Sequence, residues 1–278
     1  MSGSTGAKHF LLASDFDQTL SFNDSGLVLS EVLGVSGFER KVQGLARSNL
    51  VQQGGELAYL IRHDPEFRGV RKDDLVEAGR RVRLKKDISA LVSFLDHGVD
   101  DYSFSFSVIS AAPKEIVQSA LDGIVAPDRI YGTEFDYDPE SGEVRAIFRV
   151  AAGYGKVAVI EELEEKAGSA PHRTIYVGDG SSDVHVMLHV NNRGGSTIAV
   201  SKNRHLARIA NRIVLSDSAF SIVVPVLDQI LQWRPSEIRA LFESYGLSLD
   251  RWDRSHTDRV TIRDAELPSS DVALEPAS

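Results

Sequence analysis

The first apolar run of the chain is the feature that most constrains its fold. Residues 8–14 (KHFLLAS) place apolar side chains in succession, without the polar alternation of a strand that has one face in water. Such a run indicates a strand covered on both faces, as in a parallel sheet. Two aspartates, Asp15 and Asp17, follow directly. Their carboxylates therefore stand where a buried strand is expected to end.

The rest of the chain alternates strand-like with helix-like segments. Further strands are predicted near the segments DYSFSFSVISAAP, RTIYVG, STIAVS and NRIVLS, with amphipathic helices between them, and residues 130–149 have the alternating pattern of a β-hairpin. The alternation predicts an α/β, Rossmann-like, three-layer core with a mostly parallel sheet. Between the first two strands, residues 27–97 have helical spacing throughout. We therefore expect a helical block inserted after the first strand.

The composition excludes several kinds of site and partner. The chain has 278 residues, a formal net charge of -9 and no cysteine. Any metal must therefore bind oxygen or histidine ligands. The acidic balance disfavours a nucleic-acid partner, because nonspecific binding of that kind relies on clustered Lys and Arg. No apolar run approaches the roughly 18 residues of a membrane span and no secretory leader is recognisable, so we expect a cytoplasmic protein without a membrane partner.

Polar residues at strand ends are the candidates for chemistry, since ligands of open α/β sheets bind beyond the carboxyl ends of the strands. Carboxylates a few ångströms apart raise one another's pKa unless a cation neutralises them. A hard ion such as Mg²⁺ does so and prefers oxygen ligands. A hydroxyl, a helix N-terminus and a lysine are suited to phosphate oxygens. The residues that fit these roles are Asp15, Asp17, Ser110, Lys156, Asp179 and Asp183.

Four segments, in this order, resemble the haloacid-dehalogenase-like hydrolase superfamily and, within it, the phosphoserine-phosphatase-like branch. The D-x-D-x-T motif stands at residues 15–19, and the G-D-G-x-x-D motif at residues 178–183. Between them, Ser110 matches the serine or threonine at a strand end and Lys156 the lysine of the third motif. The resemblance extends over about residues 8–230 and implies a Mg²⁺-dependent phosphatase acting on a small phosphorylated metabolite.

The resemblance also implies a two-step phosphoryl transfer. Asp15 would attack phosphorus to form an aspartyl-phosphate, which divides one difficult step into two easier ones. Asp17 would protonate the leaving oxygen and then activate the hydrolytic water. The groups that would hold Mg²⁺ are Asp15, the backbone carbonyl of Asp17, Asp179 and Asp183, the last directly or through a ligated water. The phosphoryl oxygens would bind Ser110, Ala111, Lys156 and Gly180.

The inserted helices would form the mobile cap of this branch, which closes over the site and selects the substrate. The acidic residue seven positions after the second aspartate of the first motif is Asp24, which suggests an amine or hydroxyl on the substrate. A turn residue or helix cap is nevertheless the preferred interpretation of Asp24. Arg47 and Arg62 are candidate carboxylate binders in the cap, although solvated helix charges are the preferred interpretation of both.

The resemblance divides the chain into an α/β core (residues 1–22 and 98–235), a helical cap (23–97), a C-terminal helix (236–249) and a flexible polar tail (250–278). Two departures argue against phosphoserine itself as substrate: Gln18 stands where the branch usually has a small residue, and residues 110–112 read Ser-Ala-Ala instead of Ser-Gly-Gly.

Three alternatives stay open at this point. A phosphotransferase or mutase of the same fold would use the same residues with a second acceptor in place of water. A non-enzymatic module that binds a phosphorylated ligand is disfavoured, because binding alone needs neither a nucleophile nor an acid. His185 and His189 have the i,i+4 spacing of helical zinc ligands, but no third ligand is evident, so packing or surface roles are preferred.

Overall fold

A computed structural model describes residues 8–201 and 204–249 of the protein. Within them, neighbouring strands of one seven-stranded sheet follow the order β4-β3-β2-β1-β5-β6-β7, and every pair is parallel except β3 and β4. This confirms the predicted α/β class and its mostly parallel sheet. The strands are β1 (Lys8–Ser14), β2 (Tyr102–Pro113), β3 (Ile130–Tyr137), β4 (Val144–Arg149), β5 (Thr174–Gly178), β6 (Ser196–Ala199) and β7 (Arg212–Ile213).

The helices cover the sheet and form the insertion after β1. Those of the insertion are α1 (Ser25–Leu33), α2 (Phe38–Ser48), α3 (Glu56–His63), α4 (Lys72–Arg81) and α5 (Ile88–His97). The later ones are α6 (Lys114–Ala120), α7 (Tyr154–Ala167), α8 (Val184–Asn192), the single turn α9 (Val223–Pro225) and α10 (Pro235–Ser244).

Strand β1 lies at the centre of the sheet, between β2 and β5. Its side chains alternate between two apolar clusters, with Leu12 in one and Leu11 and Ala13 in the other, and all three are inaccessible to solvent. This confirms that the first strand is covered on both faces. Ser14, at its end, is in register with Val108 of β2 and Val177 of β5. The ends of β1 and β5 therefore lie side by side, and β2 continues beyond them to Pro113.

The predicted hairpin is formed by β3 and β4, whose turn is stabilised by Asp138. The Asp138 carboxylate accepts hydrogen bonds from the backbone N–H groups of Glu140 and Ser141 at 3.0 and 2.9 Å. Strand β3 also pairs in parallel with β2. The hairpin thus extends the main sheet and ends it with an antiparallel edge strand.

A loop between α2 and α3 interrupts the long helical pattern of the insertion and rests on the core. Helix α2 is followed by Asn49, whose φ is 51°, and Gly54 has a φ of 91°. The Gln52 side chain donates a hydrogen bond to the carbonyl of Ala152 at 2.6 Å. A Cβ on Gly54 would lie 2.9 Å from the Cβ atoms of both Ala152 and Ser182. The absence of a side chain at Gly54 therefore permits this approach.

Helices α4 and α5 also contact the core. The Ser119 hydroxyl of α6 donates to the carbonyl of Val76 in α4 at 2.7 Å. On α5, Phe94 packs edge-on against Phe220 with the ring centroids 5.8 Å apart. An antiparallel bridge between Ser21 and Leu84 joins the two ends of the segment that contains α1 to α4. The division of the chain into domains stays a prediction.

The C-terminal part of the described chain contains the helix predicted for residues 236–249. It is observed as α10 and ends earlier, where Gly246 has a φ of 72° and the Leu247 N–H donates to the carbonyl of Phe242 at 2.9 Å. The tail predicted for residues 250–278 lies outside the described residues. No helix in residues 8–201 and 204–249 is both long and apolar enough to cross a membrane.

The contact of α4 with α6 generates a stability prediction. A Cβ on Gly79 would overlap the carbonyl oxygen of Ile116 and the Cβ of Ser119. We expect Gly79→Ala to lower the free energy of unfolding by roughly 1–3 kcal/mol, as overpacking does. Gly44→Ala is the matched control, because Gly44 is exposed on α2 with open space around its Cα. That change should raise stability by about 0.5–1 kcal/mol. Urea denaturation measures both, and equal effects would contradict the proposed close packing.

Candidate active site

A cavity of about 300 Å³ opens at the carboxyl ends of β1, β2 and β5, beneath the loop that joins α2 to α3. Its lining combines carboxylates from the strand ends with residues of the inserted helices. The core contributes Asp15, Asp17, Gln18, Ala111, Ala112, Asp179, Gly180, Ser181 and Ser182. The insertion contributes Asp24, Gly26, Phe38, Val42, Ala46, Gln53, Gly54, Glu56 and Leu57.

A buried lysine bridges two of the predicted carboxylates. The Lys156 Nζ lies 2.8 Å from Asp15 Oδ1 and 2.7 Å from Asp183 Oδ1, and no part of the lysine side chain is accessible to solvent. Burial opposes the charged amine, but the two carboxylates raise its pKa above the ordinary value. Lys156 therefore remains a cation beneath the floor of the cavity, and it orients Asp15.

Asp183 is the most highly hydrogen-bonded of the carboxylates. Its Oδ2 accepts from the backbone N–H groups of Asp179 and Gly180, each at 3.0 Å. Its Oδ1 accepts from the Tyr176 hydroxyl at 2.6 Å as well as from Lys156. Each contact restrains the loop after β5, so Asp183 fixes the position of Asp179.

Asp17 lies beside the start of α1, and Ser25 holds it. The Asp17 Oδ1 accepts from the backbone N–H of Ser25 at 2.9 Å and from its hydroxyl at 2.6 Å. Burial raises the pKa of Asp17 well above its ordinary value, and the neighbouring charge of Asp24 raises it further. Asp17 is therefore a carboxyl group that retains a proton more readily than an exposed aspartate.

Three carboxylates of the site fit a divalent cation. One oxygen each of Asp15, Asp179 and Asp183 lies within 4.8 Å of the others. Burial, followed by the charge of Asp183, raises the pKa of Asp15 to about 6. Burial, followed by the charge of Asp15, raises the pKa of Asp179 to about 8. Crowded hard oxygen donors of this kind are what Mg²⁺ binds and neutralises.

The predicted phosphate-binding residues occupy two depths. Ala111 and Gly180 line the cavity, whereas Ser110 and Lys156 are fully buried below it. The Ser110 hydroxyl accepts a hydrogen bond from the backbone N–H of Ala112 at 3.1 Å, which leaves its own proton free to donate. Gln18 also lines the cavity, in a left-handed conformation with a φ of 55°.

The predicted substrate residues of the insertion differ in their placement. Asp24 lines the cavity and also caps α1, because its Oδ1 accepts from the backbone N–H groups of Gly26 and Leu27 at 2.8 and 3.1 Å. Both interpretations of Asp24 thus have a structural basis. Arg47 and Arg62 are exposed, and neither lies among the residues that line the cavity. The structure does not bring these two arginines to the site.

The two histidines of α8 have partners other than a metal cluster. His185 stacks on Tyr154 with the ring centroids 4.3 Å apart, and His189 lies 2.8 Å from the guanidinium of Arg193. In the part of the chain that the structure describes, the one group of three His, Asp or Glu side chains that could hold a metal is that of Asp15, Asp179 and Asp183.

Several functional candidates were not predicted from the sequence. Tyr176 is fully buried against Lys156 and Asp183, and a hydroxyl within an otherwise apolar strand was the available indication. Glu56 lines the cavity, but nothing in its helical pattern distinguishes it from a solvated charge. Lys85 lies close enough to Asp179 for their charges to interact. Lys85 is far in sequence from every motif, so no local pattern indicated a role for it.

The fold is similar to those of several solved structures. A substrate-bound phosphoserine phosphatase complex is 17% identical, with a TM-score of 0.63 over 78% of this chain and 98% of that one. A phospho-aspartyl intermediate analogue of phosphoserine phosphatase is 18% identical, with a TM-score of 0.59 over 74% and 93%. A phosphoserine phosphohydrolase-like protein from Francisella tularensis subsp. tularensis SCHU S4 is 16% identical, with a TM-score of 0.61 over 78% and 99%. At these identities the likeness shows the fold alone.

Comparison by sequence gives a more definite result. The curated proteins yielded no match. The family model of haloacid dehalogenase-like hydrolases, however, matches residues 12–188, which contain all four motifs. Because this match covers more than half of the 278 residues, the chain belongs to the haloacid dehalogenase-like hydrolase family.

Proposed function

We propose that the protein is a Mg²⁺-dependent phosphatase that hydrolyses a small phosphomonoester through an aspartyl-phosphate on Asp15. The observation that carries this proposal is the pairing of Asp15 with Lys156 at the floor of a cavity that Asp17 and Asp179 also line. A binding module would need a cation and backbone donors for phosphate, but not two carboxyl groups with different environments. The pair supports covalent catalysis followed by proton transfer.

In the first step, Asp15 attacks phosphorus while the bond to the leaving alcohol breaks. Lys156 occupies Asp15 Oδ1 at 2.8 Å, so Oδ2 is the oxygen left to form the new bond. The ion pair lowers the pKa of Asp15 against the effect of burial and keeps the nucleophile anionic near neutral pH. The Ser110 hydroxyl and the backbone N–H of Ala111 would bind the equatorial phosphoryl oxygens.

Asp17 has the environment of a general acid and base. Its raised pKa favours a protonated carboxyl that can donate to the leaving oxygen. The same oxygen atoms then accept a proton from the water that hydrolyses the aspartyl-phosphate. The two hydrogen bonds from Ser25 hold this carboxyl in place during both transfers.

The residues that would hold Mg²⁺ are Asp15, Asp179 and Asp183 together with the backbone carbonyl of Asp17. When bound, the ion neutralises the carboxylates and the developing charge on the phosphoryl oxygens. Lys156 alone is one positive charge against the three carboxylates of Asp15, Asp179 and Asp183, which is why a second cation is part of the proposal.

We expect Asp15→Asn to lower kcat for an aryl phosphate by at least about 10³-fold, because the amide cannot act as the nucleophile. Phosphate released with water as sole acceptor is the measurement, and this also separates a phosphatase from a phosphotransferase. Asp122→Asn, at an exposed turn, is the control and should retain full activity.

The second aspartate allows an independent check of the covalent step. Asp17→Asn should still be phosphorylated by an aryl phosphate, whose leaving group needs little protonation, but should lose the phosphoryl group slowly. Mass spectrometry should then find phosphorylated Asp15 in this variant and not in Asp15→Asn. Substantial turnover by Asp15→Asn would contradict the nucleophile assignment.

Metal binding should stabilise the protein more at high pH than at low pH. Without metal, Asp15 and Asp179 have pKa values of about 6 and about 8, above the ordinary 3.8, so the folded state holds protons that the unfolded chain releases. The stability contributed by these protons is lost as the pH rises through the folded-state values, and Mg²⁺ restores it by replacing them. The increase in Tm caused by Mg²⁺ over EDTA should therefore be larger near about pH 8 than near about pH 5.

Asp179→Asn gives this measurement its control. Removing one crowded carboxylate should raise the Tm in EDTA near about pH 8 and abolish most of the increase caused by Mg²⁺. An increase that is independent of pH, or unchanged in Asp179→Asn, would count against the assigned metal site.

The loop above the cavity should contribute to turnover. A side chain at Gly54, where φ is 91° and a Cβ would meet Ala152 and Ser182 at 2.9 Å, prevents the loop from resting on the core. We expect Gly54→Ala to lower kcat/KM roughly 10- to 100-fold. Gly34→Ala introduces similar backbone strain at a φ of 69° with open space around it, and should leave kcat/KM nearly unchanged. Equal values for the two variants would refute a role for the contact.

A further inference from the structure

The cavity extends from the core carboxylates to a wall formed by the inserted helices, where a leaving group would lie. Three side chains of this wall, Phe38, Val42 and Ala46, are four residues apart on α2 and so form one stripe. Leu57 of α3 adjoins them. Gly26 leaves room for the ring of Phe38, since a Cβ there would overlap its edge atoms. This wall is apolar and includes an aromatic ring.

Two carboxylates of the inserted segment also line the cavity. Asp24 uses Oδ1 to cap α1, and Glu56 accepts from the backbone N–H of Gly54 through Oε2 at 2.7 Å. Their second oxygens have no hydrogen-bond or ion-pair partner in the described part of the chain. Glu56 is a buried residue, with only 8% of its surface exposed. A carboxylate that lines the cavity and has one oxygen unpaired can form an ion pair with a cationic group of the ligand.

On this wall, no cationic side chain of the described residues is available to pair with Asp24 and Glu56. In residues 8–201 and 204–249, the cavity lining contains no lysine, arginine or histidine. Lys156 lies below the floor and is bound to Asp15 and Asp183. Lys85 lies outside the cavity lining, and its charge interacts with that of Asp179. A carboxylate on the leaving group would face Asp24 and Glu56 without a partner, which is unfavourable in a buried site.

From these contacts we infer that the substrate is the phosphomonoester of an alcohol that carries an ammonium group and no carboxylate. The inference rests on the proposed function and names its substrate class. The phosphoryl group lies on the core residues, the ammonium group pairs with Asp24 and Glu56, and the intervening carbons contact Phe38 and Leu57. The aromatic ring of Phe38 would also suit an alkylated ammonium, which aromatic rings attract.

Three ligands that differ at one group test this assignment. O-phosphoethanolamine has the ammonium, O-phosphoserine adds a carboxylate, and propyl phosphate replaces the ammonium with a methyl group. We expect kcat/KM to be highest for O-phosphoethanolamine, with each of the other two roughly tenfold lower or more. An aryl phosphate measured in parallel reports the phosphatase activity itself. Calorimetric binding of the three ligands to Asp15→Asn, with Mg²⁺ present, gives the same order independently of catalysis.

Substitution of Glu56 should change the preference between substrates. Glu56→Gln retains an oxygen for the contact with the Gly54 N–H and should lower the ratio of kcat/KM for O-phosphoethanolamine to kcat/KM for propyl phosphate. Glu31→Gln, at an exposed position on α1 outside the cavity lining, is the control. Gln53→Arg places a guanidinium at the cavity and should raise the activity on O-phosphoserine relative to O-phosphoethanolamine.

The outcomes separate this inference from the proposed function. Hydrolysis of the aryl phosphate together with equal or better use of O-phosphoserine would overturn the substrate class and leave the phosphatase in place. Absence of all hydrolysis would remove the proposed function, and the binding order on Asp15→Asn would still decide the substrate class. Equal binding of propyl phosphate and O-phosphoethanolamine would also overturn it.

Discussion

The buried amine of Lys156 is the interaction on which the site depends. An isolated charge in this position would be costly, and it persists because Asp15 and Asp183 lie within 2.8 Å of it. The lysine comes from α7, and the two carboxylates follow β1 and β5. The ion pairs therefore connect three elements that are distant in sequence. Tyr176 adds a hydroxyl between the same charges, so the arrangement is hydrogen-bonded as well as neutralised.

This arrangement leaves a surplus of negative charge at the floor of the cavity. One lysine cannot balance the surrounding carboxylates, and the pKa values of Asp15 and Asp179 rise for that reason, in addition to burial. The fold thus stores an unfavourable interaction that a divalent cation relieves. Asp15 and Asp17 have different environments, because Lys156 contacts Asp15 and Ser25 donates two hydrogen bonds to Asp17. Two aspartates separated by a single residue thereby acquire different chemistry.

The core could be predicted from sequence because local residue patterns specify the order of its strands and helices. An apolar run followed by Asp15 indicates a doubly covered strand, and the parallel pairing of β1 with β2 and β5 brings Ser110 and Asp179 near it. The insertion was less predictable. Helical spacing located its helices, but Arg47 and Arg62 were chosen for their charge, and both are exposed away from the cavity. Which face of a surface helix points to a cavity depends on tertiary packing, and no local pattern encodes it.

The chemistry and the choice of substrate therefore have separate physical origins. The strand ends provide the carboxylates and the lysine through hydrogen bonds and ion pairs that a short motif can specify. The wall depends on small details of packing: Gly26 admits the ring of Phe38, and Gly54 lets the loop approach Ala152 and Ser182. A residue that changes the wall leaves the ion pairs intact, because the two sets of contacts share no side chain. Selectivity in this chain can thus change through α2 and its following loop while the catalytic residues stay fixed.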